Sequence, residues 1–297
     1  MRYFITSDIH SNLETLQAVL KDMRTAFQFN KSQDSFVCLG DIIGYAANPN
    51  ECMNLIYRNA NIILPGNHDQ GTHWTITGEN KDFVERHFND RAIAGLNYSA
   101  KHLSPKNKKR LAELLEKDKF VHEAENLIFT HSQPRFPKDM SIYIENMFGA
   151  KSYFFDVPEF DGKIAFIGHR HIPQIYWCRP DESEFEPDVY EGGKVSSILY
   201  GRDPQGQVKP WLCSLQKNAD KPFDNSWNLD SVKMALIQVP SVGQPRDNCA
   251  YTGYAIYDSS KKELTMRRLP YDIARAQTKI RKAGLPQDLA DRLPLGR

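Results

Sequence analysis

The chain lacks any uninterrupted apolar stretch approaching the roughly 20 residues needed to span a bilayer, so a membrane-spanning protein is not expected. It also lacks a surplus of either charge. Lys and Arg number 38 against 37 Asp and Glu, a formal net charge of +1, and nothing in that balance argues for a nucleic-acid or membrane-surface partner. Cysteine is sparse: the five (38, 52, 178, 213 and 249) are odd in number and show no Cys-x-x-Cys spacing. They read as buried small hydrophobes in a reducing cytoplasm. The first apolar run starts within three residues of Met1, leaving no room for a signal peptide, and a cytoplasmic location is the expectation. No internal repeat or low-complexity tract is present.

What the chain does have is one pattern, repeated five times. The apolar runs Tyr3-Phe4-Ile5, Phe36-Val37-Cys38-Leu39, Ile62-Ile63-Leu64, Leu127-Ile128-Phe129 and Ile164-Ala165-Phe166-Ile167 read as buried strands. They are followed by Asp8-Ile9-His10, Gly40-Asp41, Gly66-Asn67-His68-Asp69, Thr130-His131 and Gly168-His169-Arg170-His171. Ligands gather at the carboxyl ends of strands in largely parallel sheets, so these groups should converge in space. A lone Asp or His at a strand end is as readily a helix cap or a loop hydrogen bond. Five in register are not.

Carboxylate, imidazole and amide oxygen together suit hard to borderline divalent ions such as Mn, Fe and Zn. Asp8, His10, Asp41, Asn67, His131, His169 and His171 make more donors than one tetrahedral ion needs. Two ions sharing a carboxylate use that many, and a pair about 3.5–4 Å apart can clamp both the attacking and leaving oxygens of a phosphoryl group.

The ordered series Asp-x-His, Gly-Asp, Gly-Asn-His-Asp, a later His and Gly-His-x-His resembles the calcineurin-like metallophosphoesterase superfamily. Gly40-Asp41-Ile42-Ile43-Gly44-Tyr45, Asn48-Pro49-Asn50-Glu51-Cys52, Ser241-Val242-Gly243-Gln244-Pro245-Arg246-Asp247 and Leu269-Pro270-Tyr271-Asp272-Ile273 are similar to a mostly microbial branch of predicted phosphodiesterases. The resemblance runs from residue 1 to about 295, apart from a central stretch near 173–233. It implies one metal on Asp8, His10 and His171, another on Asn67, His131 and His169, and Asp41 bridging them. It also implies attack by a metal-bridging hydroxide, with His68 as general acid and not a ligand; His suits that task because its unperturbed pKa lies near working pH. Asp69 could orient His68 or cap the following helix.

The fold expected from alternating strands and helices followed by antiparallel strands is α/β (α+β), the four-layer arrangement of two mixed β-sheets in a sandwich flanked by helices, which the resemblance also implies. Helices are expected over 12–28, from Pro49 to about 59, within 80–100, and from Ser104-Pro105 to about 117; strands at Met234–Val239, Tyr251–Tyr257 and Leu264–Arg268. At 297 residues the chain fits a single domain, 1–297, with an insertion at about 178–231 holding a hairpin near Lys194–Tyr200 and Val208–Ser214. Trp211 and Trp227 either pin that insertion to the core or wall a substrate base. The Lys106, Lys108, Lys109 and Arg110 cluster reads as a solvated face.

Arg135, in His131-Ser132-Gln133-Pro134-Arg135, could reach a phosphate oxygen or form a structural salt bridge, and Arg246 has similar status. Tyr45 is a third candidate substrate contact, and His73 lies where the loop should rim the metals. Protein phosphatases of the superfamily carry Gly-Asp-x-x-Asp-Arg-Gly, whose Arg grips a monoester dianion; here Gly44 and Tyr45 stand in place of that Asp and Arg. This points to a phosphodiesterase acting on a small phosphodiester or nucleotide. The alternatives are a phosphomonoesterase or protein phosphatase, and a catalytically silent scaffold of the same fold; intact His68 and all seven donors favour the enzyme.

Overall fold

The computed structural model describes residues 1–116, 119–144, 150, 158–178 and 221–297, and the backbone of strands at 189–190, 199–202 and 208–211. Three β-branched and aromatic runs, β1 (Arg2–Thr6), β2 (Asp34–Cys38) and β3 (Ile62–Ile63), pair in parallel. Their register sets Thr6 opposite Cys38 and Cys38 opposite Ile63, so the residues that follow leave the sheet at one edge. On its other side β1 pairs antiparallel with β13 (Thr252–Asp258), then come β14 (Glu263–Leu269) and β11 (Phe223–Asn228).

A second sheet of six strands runs in the order β4 (Val121–Ala124), β5 (Leu127–Thr130), β6 (Ile164–Ile167), β12 (Met234–Gln238), β7 (Gln174–Cys178) and β8 (Val189–Tyr190). Here β5, β6 and β12 are parallel, with Phe129 opposite Phe166 and Ile167 opposite Gln238. Their carboxyl ends are therefore also level. A parallel bridge between Ser7 and Ser241 joins the two sheets just beyond β1 and β12.

Inward-facing residues of both sheets, among them Ile5, Val37, Phe129, Phe166, Ile237 and Tyr257, form one shared core. Burying each such side chain contributes about 1.5–3 kcal/mol. The opposite face of the first sheet (Phe4, Phe36, Ile256) is covered by α1 (Leu13–Thr25), α2 (Pro49–Asn59) and α6 (Pro105–Glu116). Asn12 caps α1, and Pro49 opens α2 as the sequence indicates. Helices α3 (Asn67–Thr77), α4 (Lys81–His87) and α5 (Asp90–His102) complete the flank. Two further helices, α7 (Ile273–Lys282) and α8 (Gln287–Asp291), pack on Tyr45, Ala46 and Ala92; Asp272 caps α7. Among the described residues no helix is long and apolar enough to cross a membrane. The architecture is mixed α/β, two mixed sheets with helices outside, as expected.

Two local expectations change, and one open alternative is resolved. The stretch assigned to an insertion ends earlier, because β11 is an edge strand of the first sheet and carries Trp227 into the shared core at 2% exposure. Trp227 is therefore a core residue, not a wall over a substrate. The hairpin exists as β9 (Leu199–Arg202) paired with β10 (Val208–Trp211), while the side chain of Trp211 and most of 179–220 lie outside the described residues. Cys38 and Cys52 are buried free thiols, but Cys249 is disulfide-bonded, so the expectation of five reduced cysteines does not hold.

Candidate metal centre

Level strand ends deliver the donors to one place. Asp8 and His10 follow β1, Asp41 follows β2, Asn67 opens α3 after β3, His131 follows β5, and His169 and His171 follow β6. The turns that aim them are strained. Asp8, His10, Asp41, His169 and His171 all adopt positive φ, between 49° and 68°. Such conformations cost on the order of 1–3 kcal/mol each and cluster where a site is held against local preference. Close approach is enforced as well: a Cβ on Gly168 would overlap Ser7 Oγ, letting the His169 amide reach the Asp8 carboxylate at 3.1 Å.

Two of the histidines turn a lone pair inward. The His171 Nδ1–H donates to the Gln244 carbonyl at 2.6 Å, so Nε2 carries its lone pair inward, 3.3 Å from Asp8 Oδ1 and 3.1 Å from His10 Nε2. The His131 Nδ1–H donates to the Leu39 carbonyl at 3.1 Å, and its Nε2 faces Asn67 Oδ1 at 3.1 Å. Asp41 Oδ2 lies 3.5 Å from both His10 Nε2 and His131 Nε2. Two donors on one ion at about 2.1 Å stand about 3.0–3.4 Å apart, depending on geometry, which these spacings match. Asp8, His10, Asp41 and His171 offer donor atoms all within 4.8 Å of one another. His169 adds a ring 5.1 Å from that of His131, with Nε2 buried and unpartnered. The residues present therefore fit divalent cations.

Electrostatics agree. Burial raises Asp8 to about 7 and Asp41 well above the carboxylate range, the latter helped by repulsion from Asp8. Burial and mutual repulsion push His10, His68, His169 and His171 well below 6.5, and burial takes His131 to about 3. Such a cluster keeps its imidazoles neutral, so they bring no positive charge to its carboxylates.

His68 stands beside the donors. Its ring lies 4.7 Å from that of His10 and 4.4 Å from that of Tyr45, and its Nδ1 is buried with no partner. Gly44, at φ +104°, makes room for it, since a Cβ there would strike the imidazole. Of the two options for Asp69, the structure takes the cap. Its carboxylate accepts from the amides of Gly66 at 3.0 Å, Ile42 at 3.1 Å and Ile43 at 3.2 Å, tying α3 to the Asp41 turn instead of orienting His68.

Of the candidate substrate contacts, Tyr45 and Arg246 reach the cluster and Arg135 does not. The Arg246 Nη2 donates to Tyr45 Oη at 3.3 Å, and its charge lowers both Asp8 and Asp41. Arg135 is exposed and lies over the Phe136 ring. His73 sits on α3, half-buried, and no ion pair among the described residues draws it into the cluster. Two neighbours were not singled out in the sequence. Tyr143 stacks on His169 at 3.9 Å between ring centroids, and Arg292 packs on Tyr45 at 4.7 Å. Neither follows a strand nor forms a motif, so no sequence signal marks them.

Comparison with known proteins agrees with this geometry. A family model described as calcineurin-like phosphoesterase matches residues 1–201. An uncharacterised protein of Methanocaldococcus jannaschii is 33% identical over 294 residues, covering 99% of this chain and 97% of its own length. The crystal structure of a metallophosphoesterase from Sphaerobacter thermophilus superposes with a TM-score of 0.70 at 28% identity, covering 100% of both chains. A hypothetical protein from Pyrococcus horikoshii shares the fold, with a TM-score of 0.66 at 13% identity over 100% of this chain and 98% of that one. With its strand-end donors, its two-sheet fold and these matches, the chain belongs to the calcineurin-like phosphoesterase family, metal-dependent phosphoric ester hydrolases.

Proposed function

We propose that this protein is a dinuclear phosphodiesterase for small phosphodiesters or nucleotides. The observation that carries the dinuclear reading is Asp41 Oδ2, equidistant from a histidine of each donor set. Asp8, His10 and His171 would hold one ion, and Asn67, His131 and His169 the other, with Asp41 shared; Mn, Fe or Zn suits these donors. When bound, such a pair polarises phosphoryl oxygens and supplies a nucleophile from water at neutral pH. The chain's own residues do the rest. Gln244 and Leu39 carbonyls fix the tautomers of His171 and His131, keeping the inward nitrogens free of protons. His68, unligated and beside the cluster, is placed to give a proton to the departing alkoxide, a role in which the negative charge of a bound phosphate would offset the burial and the Arg246 charge that otherwise hold its imidazole neutral. The capping contacts of Asp69 hold His68 and Asp41 in register, with the His68 amide donating to Asp41 Oδ1 at 2.8 Å.

Preference for diesters rests on Gly44 and Tyr45 standing where a dianion-gripping Asp and Arg stand in related phosphatases. A phosphomonoesterase is the second reading, favoured by Arg246, which returns one guanidinium to the Tyr45 ring from elsewhere in the chain. The two readings separate on a matched pair of aryl phosphates with Mn-loaded protein. The diester is expected to be hydrolysed at least about tenfold better in kcat/KM, a difference of about 1.4 kcal/mol. Equal or higher kcat/KM on the monoester would transfer the assignment to the phosphatase reading.

A further inference from the structure

The turn after α8 brings Arg292 to the same aromatic ring that Arg246 reaches from the β12–β13 connection. Their guanidinium carbons lie 4.7 Å and 5.9 Å from the centroid of Tyr45. We infer that Arg292 and Arg246, set around Tyr45, form a seat for a second phosphate of the substrate, one step out from the donor cluster. The inference rests on the phosphoester reading above and names what else that substrate carries.

Arg292 is held in place without being used. Its Nε and Nη2 are buried and make no hydrogen bond. Desolvated charged donors are costly unless an acceptor meets them. Asp288, the acid whose charge reaches Arg292, is ion-paired to Arg91. Among the described residues Arg246 donates to neutral acceptors, Tyr45 Oη and Gln244 Oε1, at 3.3 and 3.1 Å. Two guanidiniums therefore approach one ring, and among the described residues no ion pair joins either of them to a carboxylate; Arg292 is drawn down to about 10 by burial and Arg246. An anion between them removes both the repulsion and the unmet donors. The flat fork of a guanidinium matches phosphate oxygens in pairs.

The seat lies on the His68 side of the cluster: the Tyr45 ring that both guanidiniums approach is 4.4 Å from the ring of His68, the group proposed to stand beside the leaving oxygen. The second phosphate therefore belongs to the leaving-group side, as in a substrate with two phosphates.

The test counts phosphates by equilibrium dialysis of metal-loaded protein against inorganic phosphate. The wild type is expected to bind two per chain and Arg292→Gln one. Arg292→Lys, which keeps the charge but not the fork, should retain both with the second about tenfold weaker, and it stands in if the Gln variant fails to fold. A phosphate count in folded Arg292→Gln equal to that of the wild type overturns the seat. Asp41→Asn should lose only the phosphate at the donor cluster. If Asp41→Asn changes nothing while Arg292→Gln loses a phosphate, the seat stands and the dinuclear reading fails.

Discussion

The two donor sets of the proposed dinuclear centre are built differently. On one side Asp8, His10 and His171 contribute a carboxylate and two imidazoles, and with Asp41 their donor atoms lie within 4.8 Å of one another. On the other, Asn67 supplies a neutral amide oxygen to His131, and His169 is stacked under Tyr143. Both halves use the same device, a backbone carbonyl fixing a histidine tautomer. They differ in charge: the first has a private carboxylate and the second has none. On the proposed dinuclear reading the first half would be the stronger cation site, and the second would depend on the shared Asp41 for all its negative charge.

The largest effect is expected from breaking what the halves share. Asp41→Asn should take metal content from two equivalents to at most one, since it strips the second half of its only carboxylate. The ion remaining should be on the Asp8 side. Hydrolysis should fall by about 10³-fold or more, because a metal clamp is worth several kcal/mol of transition-state stabilisation. Elemental analysis and kcat measured on one preparation decide this. Two retained ions would mean that Asp41 does not bridge.

A smaller loss should leave both halves intact. His68→Ala is expected to keep two metals and lose about 10²–10⁴-fold in activity on substrates with an alkoxide leaving group. With nitrophenolate, already a stable anion, the loss should shrink. His171→Ala should instead release metal from the first half and slow both kinds of substrate. If His68→Ala strips metal, or slows both leaving groups alike, His68 belongs to the donor set.

Both halves were legible in the sequence for one reason. Each donor follows an apolar run short enough to be a strand, and parallel pairing with level register brings such endings together, as at Thr6 opposite Cys38. The rim was not legible. Arg292 reaches Tyr45 only because α7 and α8 pack back on Ala46 and Ala92, a tertiary contact with no local signature. Tyr143 sits in an irregular segment, and Arg135 has a motif position but points away, over Phe136. The pairing of β11 with β14 was hidden for a similar reason: Phe223–Asn228 is too polar to read as a strand, and of its residues Trp227 alone is fully buried, with Phe223 packed partly against the core. The disulfide at Cys249 has no spacing motif to announce it.

The smallest expected effect tests the inequality itself, through protons. A cation binds only deprotonated donors, so affinity falls wherever a ligand takes up a proton in the metal-free protein. The imidazoles do not compete, because burial has already moved them well below 6.5. The carboxylates do: Asp8 is raised to about 7, and Asp41 is raised well above its usual range. As pH falls from about 8 to 6, the first ion must displace protons from both Asp8 and Asp41. The second then finds Asp41 already ionised and has no carboxylate of its own to clear. The first binding step should therefore weaken steeply, by up to about tenfold per pH unit for each displaced proton, while the second stays nearly flat. Calorimetric Mn titrations across that range read both steps, and buffers of different ionisation enthalpy count the protons released. Asp8→Asn should remove one proton from the first step and leave the second step's pH dependence as it was. Equal pH slopes for the two ions would show that the halves are not distinguished by Asp8.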